Sequence, residues 1–402
     1  MDPLIAAFQN FLLSTGIAGL TPLHLVFLAI GSIFLYLGLY KRVEPLLLIG
    51  LGVGIILANI PGTHLAVGDG FLALIRVHLI ENELVPLFIF LGLGALTDFR
   101  PLIAQPYTLL LGAAAQLGVF ITLLGTLAMG FHLNESAAIA IIGGADGPTT
   151  VYTCATLAPY LLGPVALAAY TYMSMVPIIQ PPIIRLIPKR HRMIKMRPPR
   201  KVTDQEALLF PIVLLSVTAL LVPASTPLIG MLALGNIFRE SRISEVVERL
   251  AKTSATQMMD VLIILLTLGV GSTLSVDYID MMAPKVHLTP IKFLFAFGMI
   301  FIWGLFAFGV STLGGVLLGE VMYFLTGGKV NPAIGAAGVS AVPMSARVVQ
   351  REVQRVDPSN YIIMNAMGPN VAGVIGTATV AGIYIGYVKA WYIAKLGFLP
   401  WK

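Results

Sequence analysis

One aspartate stands where charge is costliest. The stretch from Ala137 to Thr156 reads AAIAIIGGADGPTTVYTCAT and wedges Asp146 between a glycine pair and Gly147-Pro148, inside a run apolar enough to lie in lipid. A carboxylate at that depth is retained where it faces a cavity, a cation or a proton path. The motifs that accompany it offer only oxygen: Asn331 and Asn370 carry amide oxygens, and Thr149, Thr150, Tyr172 and Ser340 carry hydroxyls. Oxygen donors suit hard cations. One carboxylate amid neutral oxygens suits a monovalent ion better than calcium, whose sites gather several carboxylates. None of the 6 histidines lies in these motifs, and the single cysteine, Cys154, can form neither an internal disulfide nor a multi-cysteine metal site. Cys154 reads as packing in an apolar helix.

Other polar residues in apolar surroundings have plainer readings. Asn365, Ser174 and Ser345 sit near Gly/Pro breaks and suit caps of half-helices. Glu320 lies close to the polar Thr326-Gly327-Gly328 end of its run and reads as interfacial, while Gln116, alone in its helix, suits an interhelical hydrogen bond. Arg347 lies seven residues beyond Ser340, about 10 Å along a helix. From there a guanidinium could meet a carboxylate arriving from the cytoplasm.

The elements that must position these groups are membrane helices. A chain of 402 residues with 57% hydrophobic and 11% charged residues and a mean hydropathy of +0.90 is no ordinary soluble globule. It reads as an all-α polytopic membrane protein, with about ten or eleven apolar runs between Leu23 and Ala381 that span or nearly span roughly 30 Å of hydrocarbon. No basic region precedes the first apolar residues, so no cleaved leader is expected. Leu4, Ile5, Phe8, Phe11 and Leu12 fall at helical spacing, which suits an interfacial helix over residues 1–20.

The net charge of +6 is local: 8 of 25 cations lie between Arg185 and Lys201, and the remainder, 17 cations against 19 acids, is no nucleic-acid signature. By the positive-inside rule this connector, residues 189–206, is cytoplasmic, and it offers a docking surface for an acidic soluble partner. Met193-Ile194-Lys195-Met196 faintly resembles a biotin-carrying tripeptide, but the surrounding Arg, His and Pro residues are not those of a β-hairpin tip.

The connector divides the chain into halves over residues 21–188 and 207–402. Gly143 to Pro148 reads GGxxxP, as does Gly327 to Pro332, 184 residues later, and each half carries a further proline-bearing polar segment, YMSMVP at 172–177 and NAMGPN at 365–370. Gly/Pro-interrupted segments at corresponding points of two hydrophobic halves point to broken helices around a midplane ion site. The freed carbonyls of such breaks need partners, and a cation supplies one.

These stretches carry a family resemblance. GGADGPT at 143–149, NPAIGAAGVSAVPMSARV at 331–348 and NAMGPNVAGVIGTA at 365–378 are similar to signature segments of the membrane β subunit of the sodium-pumping, biotin-dependent decarboxylases that act on oxaloacetate, methylmalonyl-CoA, glutaconyl-CoA or malonate. FLGLGALTDFRPLIAQP at 90–106, LLLGAAAQLGVF at 109–120 and AAYTYMSMVPIIQPPI at 168–183 extend the similarity over nearly the whole chain. The connector from Pro61 to Glu83 is shorter than in some oxaloacetate-type members.

The resemblance implies two inverted repeats working as an elevator, in which carboxybiotin on a partner's carrier domain is decarboxylated, Na+ moves outward and a proton is consumed. It places sodium and proton handling on Asp146, Tyr172, Asn331, Gly335, Ser340, Arg347 and Asn370; beside it, the reading of Arg347 as a guanidinium for an arriving carboxylate makes carboxybiotin the expected carboxylate. The implied partners are a soluble carboxyltransferase, a biotin carrier and a small membrane γ/δ subunit, within a complex expected to hold several copies of the chain. A sodium-coupled carrier of organic anions, without chemistry, is the alternative that the hydrophobic pattern leaves open.

Overall fold

The computed structural model describes residues 11, 15–284 and 289–401, and among them every regular element is helical. Most of the segment assigned to an interfacial N-terminal helix lies outside the described residues. Six helices are long and apolar enough to cross a membrane: Pro22–Leu39, Thr108–Ala128, Asp204–Leu221, Glu245–Gly271, Pro290–Leu325 and Ile363–Leu396. Two bent pairs, Phe71–Ile80 with Leu84–Leu96 and Pro159–Ser174 with Val176–Ile184, raise the number to eight. The chain is therefore a multi-pass membrane protein.

Local chemistry sets the helix starts. Thr21, Thr203 and Thr289 each cap the following helix with a side-chain oxygen, Pro22 and Pro290 occupy first-turn positions that need no N–H, and Glu206 completes a capping box with Thr203. At the end of Pro290–Leu325, Gly327 and Gly328 take φ of +63° and +84°, which stops the helix at the cost of no side-chain clash.

The helices pack as two groups, each joined by crossings where glycine lets backbones touch. In one, Gly94 and Gly235 let Leu84–Leu96 lie against Thr226–Ser241, and Gly54 and Gly271 do the same for Pro45–Ala58 and Met259–Gly271. The other contains Thr108–Ala128, Pro290–Leu325, Ile363–Leu396 and two segments that turn back on themselves.

The first of these segments covers much of the Ala137 to Ala158 run. It enters as helix Leu133–Ala140, tightens to a 3-10 turn over Ile141–Gly144, reverses at Ala145 (φ +56°), and returns as Gly147–Leu157. Asn134 Nδ2 donates to the Leu157 carbonyl at 3.0 Å, so the two arms meet at their base. The run is thus a re-entrant hairpin and not a span.

The second hairpin comprises the 3-10 arm Pro332–Gly338 and the helix Met344–Gln354. Its base is closed by the connector: Asn331 Nδ2 and Asn360 Nδ2 both donate to the carbonyls of Arg192 and Ile194.

The long helix Ile363–Leu396 orders the two. Asn365 donates to Arg197 O at the base of the second hairpin, and Tyr392 Oη donates to Asn134 Oδ1 at the base of the first. Twenty-seven residues of helix separate these anchors, about 40 Å at 1.5 Å per residue. The hairpins therefore enter from opposite ends, the second from the end that carries the basic connector.

Candidate functional site

The hairpin tips meet. Ser340 N–H donates to the Gly144 carbonyl at 2.9 Å, Ser340 and Thr377 share a 2.7 Å hydroxyl contact, and Thr377 donates to Gln116 Oε1 at 3.3 Å. The same Thr377 side chain fills the space above Gly144. One threonine on the long helix thus touches both tips near the middle of its length.

Asp146 lies at this junction. It is the N-cap of Gly147–Leu157: Oδ1 accepts from Thr149 N–H at 3.0 Å, and its carbonyl accepts from Thr150 Oγ1 at 2.7 Å. Capping uses only half of the carboxylate, because Oδ2 is buried and without a hydrogen-bond partner, and the residue is 3% exposed. A helix N-terminus favours the negative charge, yet an unpaired buried oxygen of a carboxylate is expensive. A small cation at Oδ2 removes that cost.

Asn370 grips the other tip. Its Nδ2 donates to Ala337 O at 3.1 Å and Val339 O at 2.7 Å, and its Oδ1 is a second buried oxygen without a partner. Asn331 sits elsewhere. As the cap of the 3-10 arm it accepts from Ala333 N–H at 3.0 Å and spends Nδ2 on the connector. The seven-residue arm sets it about 14 Å from the tip at roughly 2 Å per residue. What Asp146 and Asn331 share is capping of a proline-initiated segment, at opposite ends of their hairpins.

Gly335 is a packing position in this arrangement: a Cβ there would lie 2.0 Å from the Gly315 carbonyl oxygen. Tyr172 is buried against Gly304, with its hydroxyl donating to the Phe301 carbonyl, and does not reach Ser340. The tyrosine against the first tip is Tyr170. Its ring covers Gly147 and its hydroxyl is buried without a partner. The two tyrosines alternate in one helix, so nothing in their spacing selects between them; only packing does.

Arg347 is exposed on Met344–Gln354, at the end of the molecule that carries the basic connector. Its charged neighbour is Glu44, between the first two helices; burial pushes the Glu44 carboxyl up and Arg347 partly pulls it back. Among the residues given plainer readings, Gln116 does accept an interhelical bond, Ser345 joins Gln180 and the Ala336 carbonyl, and Glu320 pairs with His191 of the connector at 2.8 Å. Lys195 is tied to Ser359 at 2.8 Å.

Comparison with known proteins gives the family. Residues 23–388 match the family model of the Na+-transporting oxaloacetate decarboxylase beta subunit. The chain belongs to that family. The glutaconyl-CoA decarboxylase subunit beta of Acidaminococcus fermentans is 47% identical over 96% of this chain and 99% of its own length. The methylmalonyl-CoA decarboxylase subunit beta of Veillonella parvula is 47% identical over 97% and 100%. The oxaloacetate decarboxylase beta chain 2 of Salmonella typhi is 40% identical over 97% of this chain and 100% of its own, in an alignment of 452 positions. That alignment is longer than the 402-residue chain, so it includes positions that have no counterpart in one of the two chains. Membership makes the chain the membrane subunit of a sodium-pumping decarboxylase and sets aside the carrier without chemistry.

Proposed function

We propose that this chain decarboxylates carboxybiotin presented from the cytoplasm by a partner's carrier domain and uses that reaction to move Na+ outward, with uptake of a proton. The observation that carries the reading is the junction of two oppositely entering hairpins, where Asp146 Oδ2 and Asn370 Oδ1 are buried oxygens without partners. Sodium, the cargo, takes both as ligands. Asp146 supplies the charge, so that the occupied site is close to neutral and a mobile body can carry it through a low-dielectric barrier.

Asn331 and Gly335 lie along the arm that must slide if the second hairpin moves, and Asn331 joins the ligand set in the other transport state. Ser340, hydrogen-bonded to Thr377, and Tyr172 handle the exchanged proton and a second sodium. The elevator motion follows the two halves, 21–188 and 207–402, as inverted repeats.

When docked, carboxybiotin supplies a carboxylate on a labile N–C bond whose cleavage releases CO2 and leaves a ureido nitrogen to take a proton. Arg347 suits recognition of that carboxylate: it is exposed at the cytoplasmic end and its guanidinium can bind bidentately. The connector and Arg347 face the side on which a soluble carboxyltransferase and a biotin carrier dock; a small γ/δ membrane subunit and further copies of this chain complete the complex. Decarboxylation must bind the inward and outward states differently, since without differential affinity no population shift follows.

The test is sodium activation of carboxybiotin decarboxylation by the purified complex carrying Asp146→Asn. With the complex intact, loss of activation over the sodium range that saturates the unsubstituted complex is the expected result; near-normal sodium dependence overturns the assignment.

A further inference from the structure

The outward half of the first hairpin carries more polar chemistry than capping requires. Thr149, Thr153 and Thr156 follow Asp146 on one face of Gly147–Leu157, and all three are buried. Thr153 donates to the Thr149 carbonyl at 2.8 Å, an ordinary local bond. Thr156 Oγ1 makes the same kind of bond to the Tyr152 carbonyl at 2.8 Å but also lies 2.6 Å from Glu83 Oε1, whereas Thr149 Oγ1 finds no partner.

Glu83 belongs to another element, the bend before Leu84–Leu96, where it takes φ of +66°. A residue with a side chain holds that conformation only where its surroundings impose it. The side chain is half-buried and the Tyr152 hydroxyl stands beside it. A cavity of about 980 Å³ opens at the same end, lined among others by Glu81, Glu135, Tyr160 and Trp401. Trp401 Nε1 donates to the Thr156 carbonyl at 3.0 Å, so the cavity borders the end of the threonine face. The other acids there are engaged: Glu81 with Arg76 at 3.1 Å, and Glu135 with His132 N–H at 2.8 Å and Tyr160 at 3.0 Å.

We propose that Glu83, Thr156 and Tyr152 form a second, outward station for the sodium leaving Asp146, and that the threonine face of Gly147–Leu157 is its track to the outer cavity. The ten residues from Asp146 to Thr156 cover about 15 Å, and a carboxylate stands at each end. An ion released from Asp146 meets the unpartnered Thr149 hydroxyl first and regains water at Glu83. The inference rests on the sodium reading above.

The experiment uses the whole complex in proteoliposomes that pump sodium into the lumen. Two quantities are read: the external sodium that half-activates decarboxylation, and the luminal sodium that half-inhibits it. Glu83→Gln is expected to raise the luminal value about threefold or more while leaving the external value within about twofold. Thr156→Val shifts it in the same direction, and Thr156→Ser, which keeps the hydroxyl, restores it and controls for misfolding. An unchanged luminal value in Glu83→Gln and Thr156→Val, or equal shifts on both sides, overturns the outward station alone. If the unsubstituted complex shows no sodium activation at all, the sodium reading itself fails and the station with it.

Discussion

The two hairpins do the same topological job with different chemistry. The first has a charged tip, an α-helical return arm with a hydroxyl face, and a base sealed within the membrane helices: Asn134 to Leu157 and Tyr392 to Asn134, with Tyr160 to Glu135 at the edge of the outer cavity. The second has a neutral tip, a glycine-rich 3-10 arm pressed on Pro290–Leu325 through Gly335 and Gly315, and a base stitched through the buried Asn331 and Asn360 to the basic connector. In the proposed function the first hairpin would hold the ion's counter-charge and the second would tie the site to the surface that receives the soluble partners, so that coupling chemistry to transport would need both.

The largest effect expected from this contrast is on sodium. Asp146→Asn removes the one formal charge at the junction, and half-saturating sodium should rise by about 2–3 kcal/mol, roughly 30- to 160-fold. Ser340→Ala, at the neutral tip, should shift it by only about fivefold, the scale of one neutral hydrogen bond near 1 kcal/mol. Sodium titration of decarboxylation compares the two, and equal shifts would erase the distinction between the tips.

Next in size is packing. Gly335→Ala places a methyl 2.0 Å from a backbone oxygen of Pro290–Leu325, which cannot give way without moving the helix. A loss of about 2–3 kcal/mol is expected. Gly147→Ala, the counterpart in the first hairpin, meets the Tyr170 ring at 2.3 Å, a side chain that can turn aside, and should cost less. Thermal unfolding in detergent checks the order; a larger loss in Gly147→Ala contradicts it.

How much of this was legible in the sequence follows from the physics of each signal. Asp146 was legible because lipid makes charge conspicuous, and the broken helices because glycine pairs and proline mark interruptions. The reversal was not: a run of spanning length and a hairpin of two half-length arms bury the same apolar residues, and only closure of Asn134 on Leu157 separates them. That Tyr170 and not Tyr172 packs on the first tip was not legible, because residues two apart in a helix point some 200° apart and no composition signal tells which side meets the tip. Thr377 was missed for a related reason. A threonine in an apolar helix ordinarily satisfies itself on its own backbone, and its contacts with Ser340 and Gln116 join residues 37 and 261 positions away.

A smaller effect separates the tips' supports. Asn370→Leu removes both donors to Ala337 and Val339, leaving buried carbonyls that cost about 1–2 kcal/mol. The substitution should lower thermal stability and weaken sodium activation together. Asn134→Leu, at the base of the first hairpin, should lower stability by a similar amount with sodium half-saturation kept within about twofold. If Asn134→Leu shifted sodium as far as Asn370→Leu, the division between tip and base would not hold.

The smallest effect concerns the exposed stitching of the second hairpin. The Asp357 carboxyl is held below its ordinary value by the Ser359 hydroxyl at 2.7 Å, the Ser359 N–H at 3.0 Å and, more weakly, Lys195 at 3.6 Å. A depressed carboxylate contributes stability above its unfolded pKa and loses it only as pH falls through the lower folded value. Between about pH 6 and 8 it stays charged in both states, so it adds no slope to a plot of unfolding midpoint against pH there. Because solvent reaches the half-buried group and screens the pair, that contribution is small, and Asp357→Asn should lower the midpoint only slightly. A clear drop would show that the connector supports the second hairpin through charge as well as through the buried amides of Asn331 and Asn360, and the contrast between a sealed base and a stitched one would narrow.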